Sequence, residues 1–172
     1  MFYFNLAEAP AEEDIVALEI LEADGTLVRR FATDELEDSG KHLEAGAGSN
    51  LFVWDMRYPD ATSFEGLILY SADTKGPLAV PGRYRARLTV NGERVEQDFE
   101  ILKDPRVRSS LADLQAQFDF LIKVRDKLSE AHEAVIDVRD LRTDLDYLTA
   151  KHDRVVATDE LLEAIETLRT KA

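Results

Sequence analysis

The segment that begins at His132 is the part of this sequence most similar to a metal-binding motif. His132-Glu133-Ala-Val-Ile136 starts like the helical zinc motif His-Glu-x-x-His, in which two imidazoles four residues apart face one ion. Ile136 stands where the second ligand must be, and a single imidazole cannot hold zinc at that spacing. We therefore expect His132 to lie in a polar network on a helix face, with no metal and no cofactor.

Acidic side chains are the second group that could do chemistry. A glycoside hydrolase needs two carboxyl groups about 5–9 Å apart, but among 35 acids some pair meets that distance by chance. Asp55 is the best-placed acid because it follows Trp54, the only tryptophan, and sugars stack on aromatic walls. The competing interpretation, which we favour, puts Trp54 in the core and lets Asp55 order the next turn. A carbohydrate-binding or hydrolytic site using Trp54 and Asp55 stays as an alternative.

Other catalytic and binding classes lack their sequence signatures. The 172 residues include no cysteine, which excludes disulfides, thiolate nucleophiles and cysteine zinc sites. Neither a Gly-x-Ser-x-Gly elbow nor a glycine-rich phosphate loop occurs. The net charge of −14 opposes binding to a phosphate backbone, so we expect no nucleic-acid partner. We expect no catalytic residue and no enzymatic activity in this chain.

The apolar content suits a soluble domain. Hydrophobic residues make up 45% and charged residues 33% of the sequence, enough for a core in one medium or two small domains. No apolar run approaches the roughly 20 residues that span a bilayer, so no membrane span is predicted. The first residues lack a basic region followed by a long apolar stretch, so they do not predict a signal peptide.

The pattern of the first hundred residues predicts an all-β region. The run 51–53 precedes Trp54 and predicts a central strand around that side chain. Asp24-Gly25 and Asn91-Gly92 each join two strand-like runs and predict tight hairpins. With a further strand over 64–70, we expect about seven strands, the count of an Ig-like or fibronectin-like β-sandwich.

The pattern of the last third of the sequence predicts helices. Pro105 ends the sheet region, and Ser110 with Asp113 fits a capping box. No Gly or Pro follows until about Lys151, which predicts a helix of roughly 38 residues, about 57 Å long. Thr158 begins a shorter second helix. We thus predict a two-part α+β chain, with a sandwich over 1–104 and a helical hairpin or coiled-coil-like segment over 105–172.

Apolar residues recur every three or four positions along the long helix and form one stripe. A small sandwich and a short second helix cannot cover a stripe of this length, so the helices either pair within the chain or receive another chain. The predicted interaction surface consists of Leu114, Phe118, Leu121, Val124, Leu128, Val135 and Val138.

Several short motifs, spread over nearly the whole chain, carry a resemblance to known bacterial modules. They are Asp24-Gly-x-x-Val-Arg29, Asn50-x-x-x-Trp-Asp-x-Arg57, Gly76-Pro, Pro81-Gly-x-Tyr84, Leu88-Thr-Val-x-Gly92, Lys103-Asp-Pro-Arg106, Asp113-Leu-Gln-Ala-Gln-Phe118 and Arg125-Asp-x-Leu-Ser-Glu-Ala-His132. The sheet region is similar to the Ig-like domain of flagellar hook-capping proteins. Residues 2 to 148 more closely resemble the C-terminal region of sortilin-like (BNR/Asp-box) β-propeller proteins, often labelled glycosyl-hydrolase-like.

The resemblance implies that the chain is a C-terminal fragment of a larger exported protein, periplasmic or extracellular, whose propeller would precede Phe2. It implies no catalytic residue here. The expected function is that of a non-catalytic accessory module, and its partner would be the parent's propeller or a second copy bound through the long helix. A standalone interaction protein is a further alternative.

Overall fold

The chain is an α+β protein with two antiparallel sheets and one long helix. The computed structural model describes residues 1–11, 13–36, 40–152, 163–164 and 167–168. The elements are β1 (Phe2–Leu6), β2 (Val16–Glu22), β3 (Leu27–Ala32), β4 (Gly48–Phe52), β5 (Gly82–Val90), β6 (Glu93–Ile101) and α1 (Leu111–His152).

The larger sheet has the order β3-β2-β5-β6, with every neighbouring pair antiparallel. Asn91 (φ 48°) and Gly92 (φ 86°) connect β5 to β6, a two-residue turn whose positive φ values suit this dipeptide. Asp24 and Gly25 connect β2 to β3, and the Asp24 carboxylate accepts the Thr26 N–H at 2.9 Å. Both predicted hairpins are confirmed.

The smaller sheet contains β1 and β4 alone, and the prediction of a central strand at Trp54 is wrong. β4 ends at Phe52, and Trp54 lies in the turn that follows. The Asp55 carboxylate accepts the Arg57 N–H at 3.0 Å, and the Trp54 indole N–H donates to the Arg57 carbonyl at 3.1 Å. These bonds close a local turn instead of extending the ladder. The favoured interpretation is confirmed, because Trp54 is buried and Asp55 orders the turn.

The predicted strand over 64–70 is also wrong. Gly66 adopts a left-handed conformation (φ 79°), and the Leu67 N–H donates to the Phe64 carbonyl at 3.2 Å. A turn in the middle of the segment prevents an extended ladder. The described residues therefore form six strands, not about seven.

The long helix begins as predicted. The Ser110 hydroxyl accepts the Asp113 N–H at 3.1 Å, while the Asp113 carboxylate accepts the Ser110 N–H at 2.9 Å. This reciprocal pair is a capping box. α1 has 42 residues, close to the predicted length. The predicted second helix, from Thr158, falls largely outside the described residues.

The chain divides into two compact units, which we describe separately: unit 1 comprises 1–60 and 75–122, and unit 2 comprises 61–74 and 123–172. The secondary structure changes from strand to helix between Ile101 and Leu111. A domain boundary at 104/105 stays a prediction. In unit 1 the two sheets pack on each other around Val16, Ile20 and Trp54, with tilted ring contacts between Phe31 and Phe52 at 4.4 Å.

Gly76 fixes the segment that carries Trp54 to the loop before β5. Its N–H donates to the Asp60 carboxylate and its carbonyl accepts from the Arg57 guanidinium, both at 2.8 Å. A Cβ at this position would lie 2.1 Å from the Tyr58 carbonyl oxygen, so two backbone segments would have to separate.

We expect Gly76→Ala to lower the free energy of unfolding of unit 1 by about 2 kcal/mol, the usual cost of overpacking. Denaturant titration followed by Trp54 fluorescence measures this. Gly46→Ala is the matched control, because a Cβ there meets nothing within 4 Å, and its effect should stay within about 0.5 kcal/mol. Equal midpoints for the two variants would contradict the prediction.

Candidate interaction surfaces

An apolar cleft of about 880 Å³ opens in unit 1 where the two sheets fail to match in width. Strands lie about 4.8 Å apart, so a four-stranded sheet is about 10 Å wider than a two-stranded one. β1 lies toward β6, as the contact of Phe2 with Phe99 at 5.1 Å shows. The inner face of β6 remains partly bare, and Val95 on that face is 69% exposed.

The rim of this cleft is unusually apolar for a surface. Six of its large hydrophobic side chains are exposed, whereas single exposed apolar residues are the normal pattern. They are Met1, Tyr3, Val53, Met56, Val95 and Leu102. Within the part of the chain that the structure describes, Glu100 is the one charged side chain that lines the cleft. Its chemistry therefore suits apolar binding and not catalysis.

The sequence interpretation missed this cleft. Alternation along β1 and β6 predicts which side chains share a face, but it does not tell whether another layer covers that face. The available signal was the number of strands. A seven-stranded sandwich that loses one strand leaves part of an inner face open.

A second cluster in unit 1 surrounds Tyr58. The Tyr58 hydroxyl donates to the Glu22 carboxylate at 2.5 Å, and its ring contacts Phe118 at 4.7 Å. Burial, together with this hydrogen bond, raises the pKa of Tyr58 far above its ordinary value. Burial also raises the pKa of Tyr84. Phe118, predicted to belong to an interaction surface, is thus half-buried by contacts within its own unit.

In unit 2, Thr62 is bound to three side chains of α1. Its N–H donates to the Ser129 hydroxyl at 3.0 Å and its hydroxyl donates to the Glu133 carboxylate at 2.9 Å. Its carbonyl lies 2.5 Å from Nδ1 of His132. A carbonyl can only accept, so Nδ1 carries the proton. His132 is buried in the polar network that the sequence predicts.

Phe64 adds an aromatic contact to the same face of the helix. Its ring lies edge-on to the His132 imidazole at 5.2 Å, and the Arg139 guanidinium lies 4.4 Å from its centroid. Arg139 also donates to the Glu65 carbonyl at 3.0 Å. The segment 61–65 therefore occupies the face of α1 that carries residues 129, 132 and 139.

An apolar row runs along the helix in unit 2 beside the residues that bind segment 61–65. Leu128 lies one turn before His132, and Val135 lies one turn before Arg139. We call this row the seam, and define it as Val124, Leu128, Val135, Val138 and Leu141. Leu128 is half-buried and the other four are exposed. Of the remaining predicted interaction residues, which lie in unit 1, Leu121 is exposed and Leu114 and Phe118 are half-buried.

The residues considered for sugar chemistry do not form an open aromatic site. Trp54 is only 6% exposed, so it does not present a free ring face to solvent. The Asp55 carboxylate lies 3.8 Å from the Arg29 guanidinium, and the Arg57 guanidinium donates to the Gly76 carbonyl. Carbohydrate binding stays a prediction that this geometry does not support.

Across the described residues, no group of three or more His, Cys, Asp or Glu side chains has the arrangement of a metal site. In the same part of the chain, no helix combines the length and apolar character needed to cross a membrane. No family model matches this chain, and no curated protein or solved structure matches it either.

The Tyr58 cluster predicts a dependence of stability on alkaline pH. Since the folded pKa of Tyr58 is raised, the unfolded state releases the proton first, and stability falls as pH rises above about 10. Tyr58→Phe should lose about 1 kcal/mol at pH 7 with the hydrogen bond, and its stability should decline less steeply between about pH 10 and 12.

Denaturant midpoints at several pH values measure both effects. Tyr3→Phe is the control, because the Tyr3 side chain is 75% exposed; its curve should follow that of the unchanged protein. Parallel alkaline slopes for Tyr58→Phe and the unchanged protein would refute the role of Tyr58.

Proposed function

We propose that this chain is a non-catalytic interaction module that associates through its long helix. The observation that carries the proposal is the seam, an apolar row with four exposed side chains that lies beside the residues bound by segment 61–65. Its residues fall three or four positions apart, or seven between Leu128 and Val135, which is the spacing of a helix-packing surface.

The distribution of charge favours a second copy of the chain as the occupant. The acids of α1 at Asp126, Glu130, Glu133, Asp137 and Asp140 lie off the seam, at helix positions that the heptad repeat turns outward. A chain with net charge −14 can therefore pair its seams without bringing carboxylates together. The seam extends over 18 residues, from Val124 to Leu141, about 26 Å along the helix axis.

The resemblance to sortilin-like propeller proteins belongs to the same proposal. It is supported by the quoted sequence motifs, and it would make this chain the C-terminal part of an exported parent, periplasmic or extracellular. The finer architecture also belongs here: an Ig-like or fibronectin-like sandwich, and a helical hairpin completed by the shorter helix that begins at Thr158. Helix pairing with the parent's propeller is the alternative to pairing between copies.

The double variant Val124→Glu with Val135→Glu should dissociate the dimer. Each buried valine contributes about 1.5–3 kcal/mol on burial, so the loss from both copies should weaken dimerisation by more than about a hundredfold. Sedimentation velocity between about 1 and 100 μM, a range that brackets a micromolar dimer, measures the dissociation constant, and circular dichroism reports helix content.

Lys123→Glu is the matched control, because it alters net charge by the same two units at an exposed position outside the seam. It should leave dimerisation unchanged. A chain that remains monomeric at all concentrations, or a double variant that dimerises like the control, would show that the seam is not the interface between copies.

The proposed parent is tested by immunoblotting fractions of the source cells with antibody against this chain. We expect a band several times heavier than 19.4 kDa in an exported fraction. A single band near that mass would rule out the larger parent, and it would leave the dimer experiment unaffected.

A further inference from the structure

We propose that the cleft of unit 1 binds an extended peptide, apolar at every second residue and basic between, which adds a strand beside β1. This inference is independent of the helix seam. It rests on the free backbone edge of β1, on the bare inner face of β6 and on the charge of the surroundings.

β1 is an edge strand without the usual protection, and it lines the cleft with Phe2, Tyr3 and Phe4. β1 pairs with β4 on one side, and the described residues supply no strand on the other. Natural sheets protect free edges with charged residues or local irregularities. Phe2–Leu6 contains no charged residue, and its outward ring, Tyr3, is 75% exposed.

The other three outer strands differ from β1. β6 carries charges at Arg94, Glu96 and Asp98, and β3 carries Arg29 and Arg30. β4 also lacks charged residues, but none of its residues lines the cleft. β1 is therefore the edge that can accept a strand in the cleft.

A strand beside β1 would fit over the open inner face of β6. Because Phe2 already contacts Phe99 while Phe52 contacts Phe31, the free edge of β1 points toward β6. The next strand position, about 4.8 Å further, would lie on the β6 side of the cleft, whose lining includes Val95. Alternate side chains of the added strand would point into the cleft, and apolar ones would replace the water that now covers Val95 and Leu88.

The free edge distinguishes a peptide from a small apolar ligand. A cleft of 880 Å³ lies within the size range of small-molecule pockets, but such a ligand leaves the β1 amides unpaired. Peptides that add to a sheet edge satisfy those amides and place alternate side chains in pockets. The net charge of −14 favours lysine or arginine at the outward positions.

The test uses a synthetic mixture of nine-residue peptides with Val, Leu, Ile or Phe at even positions and Lys or Thr at odd positions, about 20 Å of chain after end fraying. Hydrogen exchange of the full chain should show amide protection in residues 2–6, by about tenfold or more at saturation. One control mixture carries Glu in place of Lys, and another carries N-methyl groups on every second amide. Both control mixtures should protect the amides of residues 2–6 at least about tenfold less than the lysine mixture does.

Val95→Lys places a like charge where the basic peptide would bind and should weaken binding by about tenfold or more. Val95 is exposed, so the fold should tolerate the change. Val107→Lys is the matched control, because Val107 is an exposed residue of unit 1 that does not line the cleft; it should bind like the unchanged protein.

Three results would overturn the proposal. Absence of protection in residues 2–6 with the lysine mixture would exclude strand addition. Equal protection by the N-methylated mixture would show an apolar-ligand cleft that does not use the β1 edge. A dimer that Val95→Lys dissociates, without peptide binding, would assign the cleft to a second copy.

Discussion

The width mismatch between the two sheets is the constraint on which unit 1 depends. Four strands present an inner face that two strands cannot cover, so irregular segments must supply the missing apolar area. Trp54 lies in a turn and Leu43 in a loop, and both are buried. The side chains that fill the core beyond the smaller sheet therefore come from residues that do not belong to strands.

This arrangement explains why local hydrogen bonds matter so much around Trp54. A turn that delivers a tryptophan to the core has no ladder to hold it, so its geometry must come from side chains and from close backbone contacts. The Asp55 carboxylate accepts the Arg57 N–H. The Tyr58 carbonyl oxygen lies so close to Gly76 that a Cβ there would be only 2.1 Å from it. The hydrogen bonds of these loops thus position Trp54, the largest side chain of the core.

The sequence predicted local features well and layer coverage poorly. Asn91-Gly92, Asp24-Gly25 and the Ser110–Asp113 cap depend on residues that are neighbours in the chain, and all three form as expected. The strand predicted over 64–70 fails because Gly66 turns the backbone there and Phe64 contacts His132 and Arg139 of α1. Periodicity detects apolar residues, but it does not tell which distant residue they meet.

The same limit applies to the candidate surfaces. The spacing along α1 predicts one stripe, and the structure divides it by environment: Phe118 packs on Tyr58, while Val124, Val135 and Val138 stay exposed. The sequence around His132 resembles half of a zinc motif, but His132 is buried and its Nδ1 binds the Thr62 carbonyl. Thr62 of segment 61–65 satisfies the polar side chains of Ser129, His132 and Glu133, while the neighbouring apolar side chains of the seam stay largely exposed. A surface that remains apolar after the polar face has been paired is the one with most to gain from a partner.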